Sequence, residues 1–460
     1  MISAVNHQQL LNGNRNLAII MLLCFCVQSC ASKKPMVHSA PKADIPKQKN
    51  TNLPTKIDTV VWNKDDTKTK LPKASNKKDN DHLDPSIPSS KFVKEDSFYR
   101  VIGLIPMKFD LNDTSSSQIV SSSLRFIQYY AGMSMAIDEL NREGGKKIVF
   151  DIYDNESLSE VTNTLSRYEI HPPHLIIGPL KVEALKYTAD WAKSHETSII
   201  SPWVSSSSIT DSNPYYIQAK AGLSLHYSTI NEHARSHYPI ENVILVSKSE
   251  EESKAKYFND NLIFKDSIKE KIIKETDLST GIDPIFTSLL MNTGPTVFIV
   301  PYSSVKDENF IYHFLRRVMS EKGNKEVVIY GMYKWLEMKS DIVDYLNDYN
   351  IRFSIGNYFD QDNPTIKSFK KRYLDKFREF PSQDALEGYD IVKYAVKSLR
   401  MNGPDFQLKY NSSVSGLLET NFDLKAIQKS KLDKNPKIDY YENSYLKIVE
   451  IKNNKYKIVD

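Results

Sequence analysis

From Phe98 onward the apolar positions alternate between two rhythms. "YRVIGLIPM" is a continuous apolar run of strand length. The next stretch, "SLRFIQYYAGMSMAIDELNREGG", places Phe126, Ile127, Tyr130, Met133, Ile137 and Leu140 on one helical face and stops at Gly144-Gly145. "KKIVFDIYDN" is again a strand, followed by a helix to about Tyr168, the strand "HLIIG", a helix from Leu180 to Ser194 and the strand "TSIIS". Strands alternating with crossover helices build a parallel, doubly wound sheet with right-handed connections.

After Tyr216 the rhythm restarts. A helix begins near Leu223; "NVILVSK" is a strand and "EEESKAKYFNDNLIF" a helix. "SIKEKIIKE", "PTVFIVPYS", "EVVIYGMY" and "IRFSIGNYF" supply further strands with helices between them. The expected fold class is therefore α/β, with two Rossmann-like lobes carrying parallel doubly wound sheets and a cleft between them. Ligands of such sheets bind beyond the carboxyl ends of the strands. The tail "SGLLETNFDL…YYENSYLKIVEIKNNKYKIVD" has period-two strands and is expected to finish the second lobe. These patterns divide the folded region into a first lobe of residues 98–217 plus 383–405 and a second of 218–382 plus 406–460.

The residues before Phe98 follow neither rhythm. One positive charge, Arg15, precedes an apolar run from Leu17 to Val27, the length of a signal-peptide core and too short to span a bilayer. It ends in Val27-Gln28-Ser29-Cys30, which resembles a bacterial lipobox, so residues 1–29 are expected to be a lipoprotein signal peptide and Cys30 the lipidation site. All three cysteines (Cys24, Cys26 and Cys30) lie here, which leaves the mature chain without a disulfide. A diacylglycerol plus an amide-linked acyl chain exceeds what stable anchoring needs. Residues 30–97 are rich in Lys, Asp, Asn, Ser, Thr and Pro, which predicts a disordered linker with an r.m.s. span of roughly 45 Å. Only "KIDTVVW" (Lys56 to Trp62) in it is strand-like.

Charge and motifs narrow the function. The net charge of +4 is mild, much of the Lys excess sits in the linker, and no basic helix or aromatic platform points to nucleic acid. The chain has no GxxxxGK[ST] loop, GxSxG elbow or HExxH helix. Ser303-x-x-Lys306 and Ser368-x-x-Lys371 lack the companion SDN and KTG motifs. "DQDNP" (Asp360 to Pro364) lacks the glycine and closing glutamate of a calcium loop and reads as a helix-capping turn. His171 and His174 flank a Pro-Pro turn, and His233 and His237 are four apart on a predicted helix. Exposed helix histidines are far commoner than metal ligands, so no metal and no cofactor is assigned, and the chain is not read as an enzyme.

"VIGLIPM", "YAGMSMAIDELNREGG", "LIIGPLKVEAL", "TSIISPWVSSSSITD" and, later, "NYFDQDNPTIKSFKKRYLDKFREFPSQDALEGYDIVKYAVKSL" together resemble the type 1 periplasmic binding proteins, in particular the branched-chain amino-acid-binding group. The resemblance implies a small polar ligand held in the interlobe cleft. In the first lobe the loops after "IIGP" and "SP" would hold it, which here are Leu180, Lys181 and Val182, then Trp203, Val204, Ser205 and Ser206. In the second lobe Tyr302 and Tyr333 match aromatic positions after strands. Val182 and Trp203 stand where a hydroxyl and a small residue are usual, which argues against a free amino acid. Two functions follow from the resemblance. One is a lipid-anchored solute-binding protein of the bacterial cell envelope, held in the outer membrane facing the periplasm, that works with a transporter permease. The other is an interaction protein with a degenerate cleft, resembling lipoprotein activators of peptidoglycan synthases, whose partner would be a peptidoglycan-synthesis protein.

Overall fold

A computed structural model describes residues 97–108, 121–249, 258 and most of 268–459, apart from 281, 292, 339, 347–348, 358–359, 410–413, 419, 430–436 and 453–454. The lipobox with Cys30, the linker with Lys56 to Trp62, and nearly all of the helix expected in "EEESKAKYFNDNLIF" lie outside the described residues.

The chain runs β1 (Phe98–Ile105), α1 (Ser121–Glu143), β2 (Lys147–Asp154), α2 (Leu158–Leu165), β3 (Leu175–Ile177), α3 (Val182–Ser194), β4 (Ser198–Ser201) and β5 (Tyr216–Gln218). It continues through α4 (Leu223–His237), β6 (Val243–Lys248), β7 (Lys269–Ile273), α5 (Glu275–Thr280), β8 (Thr296–Ile299) and α6 (Glu308–Lys322). Then come β9 (Val327–Met332), α7 (Ser340–Leu346), β10 (Asn350–Ile355), α8 (Pro364–Phe377) and α9 (Gln383–Asn402). Strands β11 (Leu424–Ile427), β12 (Tyr440–Asn443), β13 (Lys447–Lys452) and β14 (Lys455–Ile458) end it.

Two seven-stranded sheets result, ordered β11-β12-β5-β4-β3-β1-β2 and β14-β13-β10-β9-β8-β6-β7. In each, the five strands that come first in the chain are parallel and share one order, so the second lobe repeats the first. Strand order reverses between β1 and β3 and again between β6 and β8, and ligands of such sheets bind in the crevice beyond that switch. The inner parallel strands are buried on both faces, as helices on either side require, while the edge strands β2 and β7 are partly exposed.

The lobe boundaries differ from the sequence expectation. Strand β12 pairs parallel with β5 and β11 pairs antiparallel with β12, so Leu424–Ile427 and Tyr440–Asn443 extend the first sheet, and β13 and β14 join the second. Helix α8 also belongs to the first lobe, because Ile366, Phe369 and Tyr373 pack into the core built by α1 and α9. Period-two alternation marks a strand without naming its neighbour, and the open edge of β5 takes the tail first. Asn363 caps α8 by accepting from Thr365 N at 2.8 Å with Pro364 following it, so "DQDNP" does form a capping turn.

The chain crosses between lobes three times, between β5 and α4, between β10 and α8 and between β12 and β13. On the first lobe, α1 lies backbone to backbone against α9. A Cβ on Gly132 would sit 1.9 Å from the Ala385 carbonyl oxygen, and one on Gly388 2.2 Å from that of Tyr129. This approach places the first turns of both helices beside the carboxyl ends of the first sheet.

Candidate functional site

The loops leaving the first-lobe strands carry the polar groups of the cleft wall. After β1, Lys108 donates its backbone N–H to Asp154 at 2.9 Å and pairs through Nζ with Glu156 at 3.1 Å. After β3, Lys181 stands at the N-cap of α3 and pairs with the same Glu156 oxygen at 3.2 Å. Lys108 first, and Lys181 with it, hold the Glu156 carboxyl below its ordinary range. Lys181 is thus engaged within its own lobe. Val182, beside it, is exposed.

After β4, Trp203 turns inward. Its ring meets Phe126 edge-on at 5.4 Å between centroids and Tyr129 at 5.0 Å, both from α1. A Cβ on Gly178 would come within 3.3 Å of the indole and 2.4 Å of the Leu104 carbonyl oxygen, so this loop requires glycine. Indole Nε1 is buried and has no hydrogen-bond partner among the described residues. Such a donor costs roughly 1–3 kcal/mol when left unpaired. Ser205 is exposed, and the half-buried Ser206 shares a 2.9 Å hydrogen bond with Ser208. Lys181, Trp203, Ser205 and Ser206 all lie in loops that leave the carboxyl ends of first-sheet strands.

The second lobe contributes less than expected. Tyr302 is fully buried in the core, which removes it from the cleft wall. Its hydroxyl accepts from Lys248 N at 2.6 Å, its ring meets Phe310, and its carbonyl accepts from Trp335 Nε1 at 2.7 Å. An apolar strand-end aromatic looks alike in sequence whether it faces cleft or core. Beside Tyr302, buried Lys248 pairs with Asp307 at 3.1 Å, and Asp307 also accepts from Ser303 and Ser304 N–H. Tyr333 is half-buried after β9, stacked on His226 at 5.8 Å. Burial pushes the Tyr333 hydroxyl up, and Lys220 of the first crossing pulls it down, so the phenol stands within electrostatic reach of that segment.

Three of the histidines singled out in the sequence are engaged in other contacts. His233 Nδ1 bonds the Tyr330 hydroxyl at 2.6 Å and Nε2 the Val459 carbonyl at 3.1 Å, while His237 stacks on His233 at 4.0 Å. His174 Nδ1 accepts from Arg100 N at 3.0 Å, which fixes the strand entry. Among the described residues no group of three or more His, Cys, Asp or Glu could hold a metal ion, and no helix is long and apolar enough to cross a membrane.

No protein-family model and no curated protein matches the sequence. Solved structures do match. A protein described as a branched-chain amino acid ABC transporter from Rhodospirillum rubrum is 10% identical, with a TM-score of 0.55 over 79% of this chain and 100% of that one. A branched-chain amino acid ABC transporter periplasmic ligand-binding protein from Burkholderia xenovorans is 11% identical, with a TM-score of 0.51 over 79% of this chain and 94% of that one. The fold is that of the type 1 periplasmic binding proteins. At such identities the match establishes the architecture alone.

Within this fold, two ion pairs that sequence reasoning missed tie α9 to α1 and to the first crossing. Arg125 on α1 pairs with Asp384 on α9 at 2.8 Å, and Lys220 pairs with Glu387 on α9 at 3.2 Å. Burial works against the Lys220 charge, but Glu387 outweighs it and holds the ammonium above its ordinary value. Burial pushes the Asp384 carboxyl up against the pull of Arg125, and it pushes the Tyr129 hydroxyl far up. A cavity of about 20 Å³, the room of one water molecule, is lined by both members of the Lys220–Glu387 pair and by Tyr129, Pro202, Asn357 and Thr420 among others. No motif could have disclosed these pairs: Arg125 and Asp384 are 259 positions apart and meet only because α1 packs against α9.

Proposed function

We propose that this chain is a non-enzymatic, two-lobed binding protein of the bacterial cell envelope that closes on a small polar ligand, of the amino-acid, peptide or cell-wall-fragment class, for uptake or sensing. An acylated Cys30 tethers it to the membrane, in the outer membrane facing the periplasm, and residues 30–97 give the lobes reach. The observation that carries this reading is Trp203: a buried indole N–H without a partner among the described residues, in the loop after β4, at the strand ends where ligands of this sheet type bind. A ligand acceptor would satisfy it. Lys181, Ser205, Ser206 and Tyr333 are the neighbouring contacts on the two lobes.

The second reading, an interaction protein serving peptidoglycan synthesis, draws on a different observation. Lys248, Asp307 and Tyr302 satisfy one another at the strand ends of the second lobe, and the cavity lined by Lys220 and Glu387 has room for a single water. Mass spectrometry of small molecules that co-purify after gentle lysis separates the two. A polar ligand released on denaturing wild-type protein, and missing from Trp203→Ala, supports the first. Recovery of no ligand from either protein, with a peptidoglycan-synthesis protein retained by both, supports the second.

A further inference from the structure

Strand β12 ends in Glu442 and Asn443, whose side chains point to opposite faces of the sheet. Glu442 Oε1 accepts from Gly222 N–H and from Gln218 Nε2, the latter at 3.1 Å. Gly222 is the N-cap of α4, the first helix of the second lobe, so a carboxylate of the first-lobe sheet caps it. The positive end of the helix favours a carboxylate there. From the other face Asn443 Nδ2 donates to the Ala219 carbonyl at 3.2 Å and to that of Asn421 at 3.1 Å, while Asn443 Oδ1 accepts from Tyr445 N at 3.2 Å. The first and third crossings are thus clipped together by two adjacent residues.

The fit leaves no slack. A Cβ on Gly222 would come within 2.8 Å of Glu442 Oε1 and 3.6 Å of the Ser205 carbonyl oxygen, which puts this contact directly under the serine turn of the cleft. One turn along α4, His226 Nδ1 bonds Ser354 Oγ of β10 at 3.1 Å, and its ring stacks on Tyr333. Ser205 in one lobe and Tyr333 in the other are therefore linked through Gly222 and the first turns of one helix.

We infer that Glu442 is a positioning residue: the Glu442–Gly222 contact is the pivot on which the lobes turn, and it sets where Tyr333 stands relative to the Ser205 turn. This rests on the lobes moving, as the proposed function requires, but not on any particular ligand. The test is the distance distribution between labels at Lys186 on α3 and Glu326 before β9, both exposed, in the full chain without ligand. It is read alongside amide exchange, so a failed ligand search leaves it decisive.

Glu442→Gln keeps an acceptor for Gly222 and should keep the wild-type distribution. Glu442→Ala should broaden it and speed exchange at residues 222–226 about tenfold, the equivalent of one lost hydrogen bond, with β1, β3 and β4 unchanged. Gly222→Ala, which displaces the carboxylate without removing it, should broaden it likewise. A wild-type distribution in Glu442→Ala would overturn the pivot. So would equal broadening in the Gln and Ala variants with faster exchange throughout the first sheet, since that is a loss of general stability.

Discussion

At the scale of single residues, the buried His226 and the half-buried Glu139 make the fold sensitive to acid. Burial holds the His226 imidazole down at about 4. The unfolded chain therefore takes that proton first, so His226 costs nothing above about pH 6.5 and stability declines as pH falls from there to about 4, by on the order of 2–3 kcal/mol. His226→Gln should flatten that part of a urea-midpoint-against-pH curve, and an unchanged slope would contradict the burial argument. Glu139 acts lower down. Burial opposes its charge, but hydrogen bonds from Lys393, Arg372 and Tyr389 overcome that and hold it at about 2. Its contribution is present above about pH 4.5 and is lost as pH falls towards 2. Tyr302 shows the limit of reading residues singly: its position after a strand is correct, yet its ring belongs to the core.

At the scale of elements, the approach of α1 to α9 builds the wall that carries Trp203. Gly388→Ala would press a methyl against the Tyr129 carbonyl, and separating the helices should cost about 1–3 kcal/mol. The urea midpoint should fall with its slope unchanged, and Trp203 emission should shift because Tyr129 moves with α1. A wild-type midpoint would mean that the helices have room to part. Strand and helix rhythm made most of these elements legible in the sequence, because burial on both faces leaves long apolar runs. The same rhythm could not assign β11, β12 and α8 to a lobe, since pairing partners are a property of the assembled sheet. Nor could it show the pairs Arg125–Asp384 and Lys220–Glu387, whose members meet only through tertiary packing.

At the scale of the whole molecule, the proposed anchoring and the proposed binding are tested separately. Cys30→Ser should leave an unlipidated precursor, seen by membrane fractionation as loss of the processed, membrane-bound form; persistence of that form would contradict the lipoprotein reading. The lobes themselves should be unaffected. Central to the account is that the cleft at Trp203 takes a polar ligand other than a free branched-chain amino acid, because the indole fills the wall and Val182 offers no hydroxyl. The direct measurement is titration of intrinsic tryptophan fluorescence with single amino acids, short peptides and cell-wall fragments, with Trp203→Phe as control. The account predicts a saturable change with a peptide or cell-wall fragment that disappears in Trp203→Phe, and little or none with leucine, isoleucine or valine. Micromolar or tighter binding of a branched-chain amino acid would contradict it.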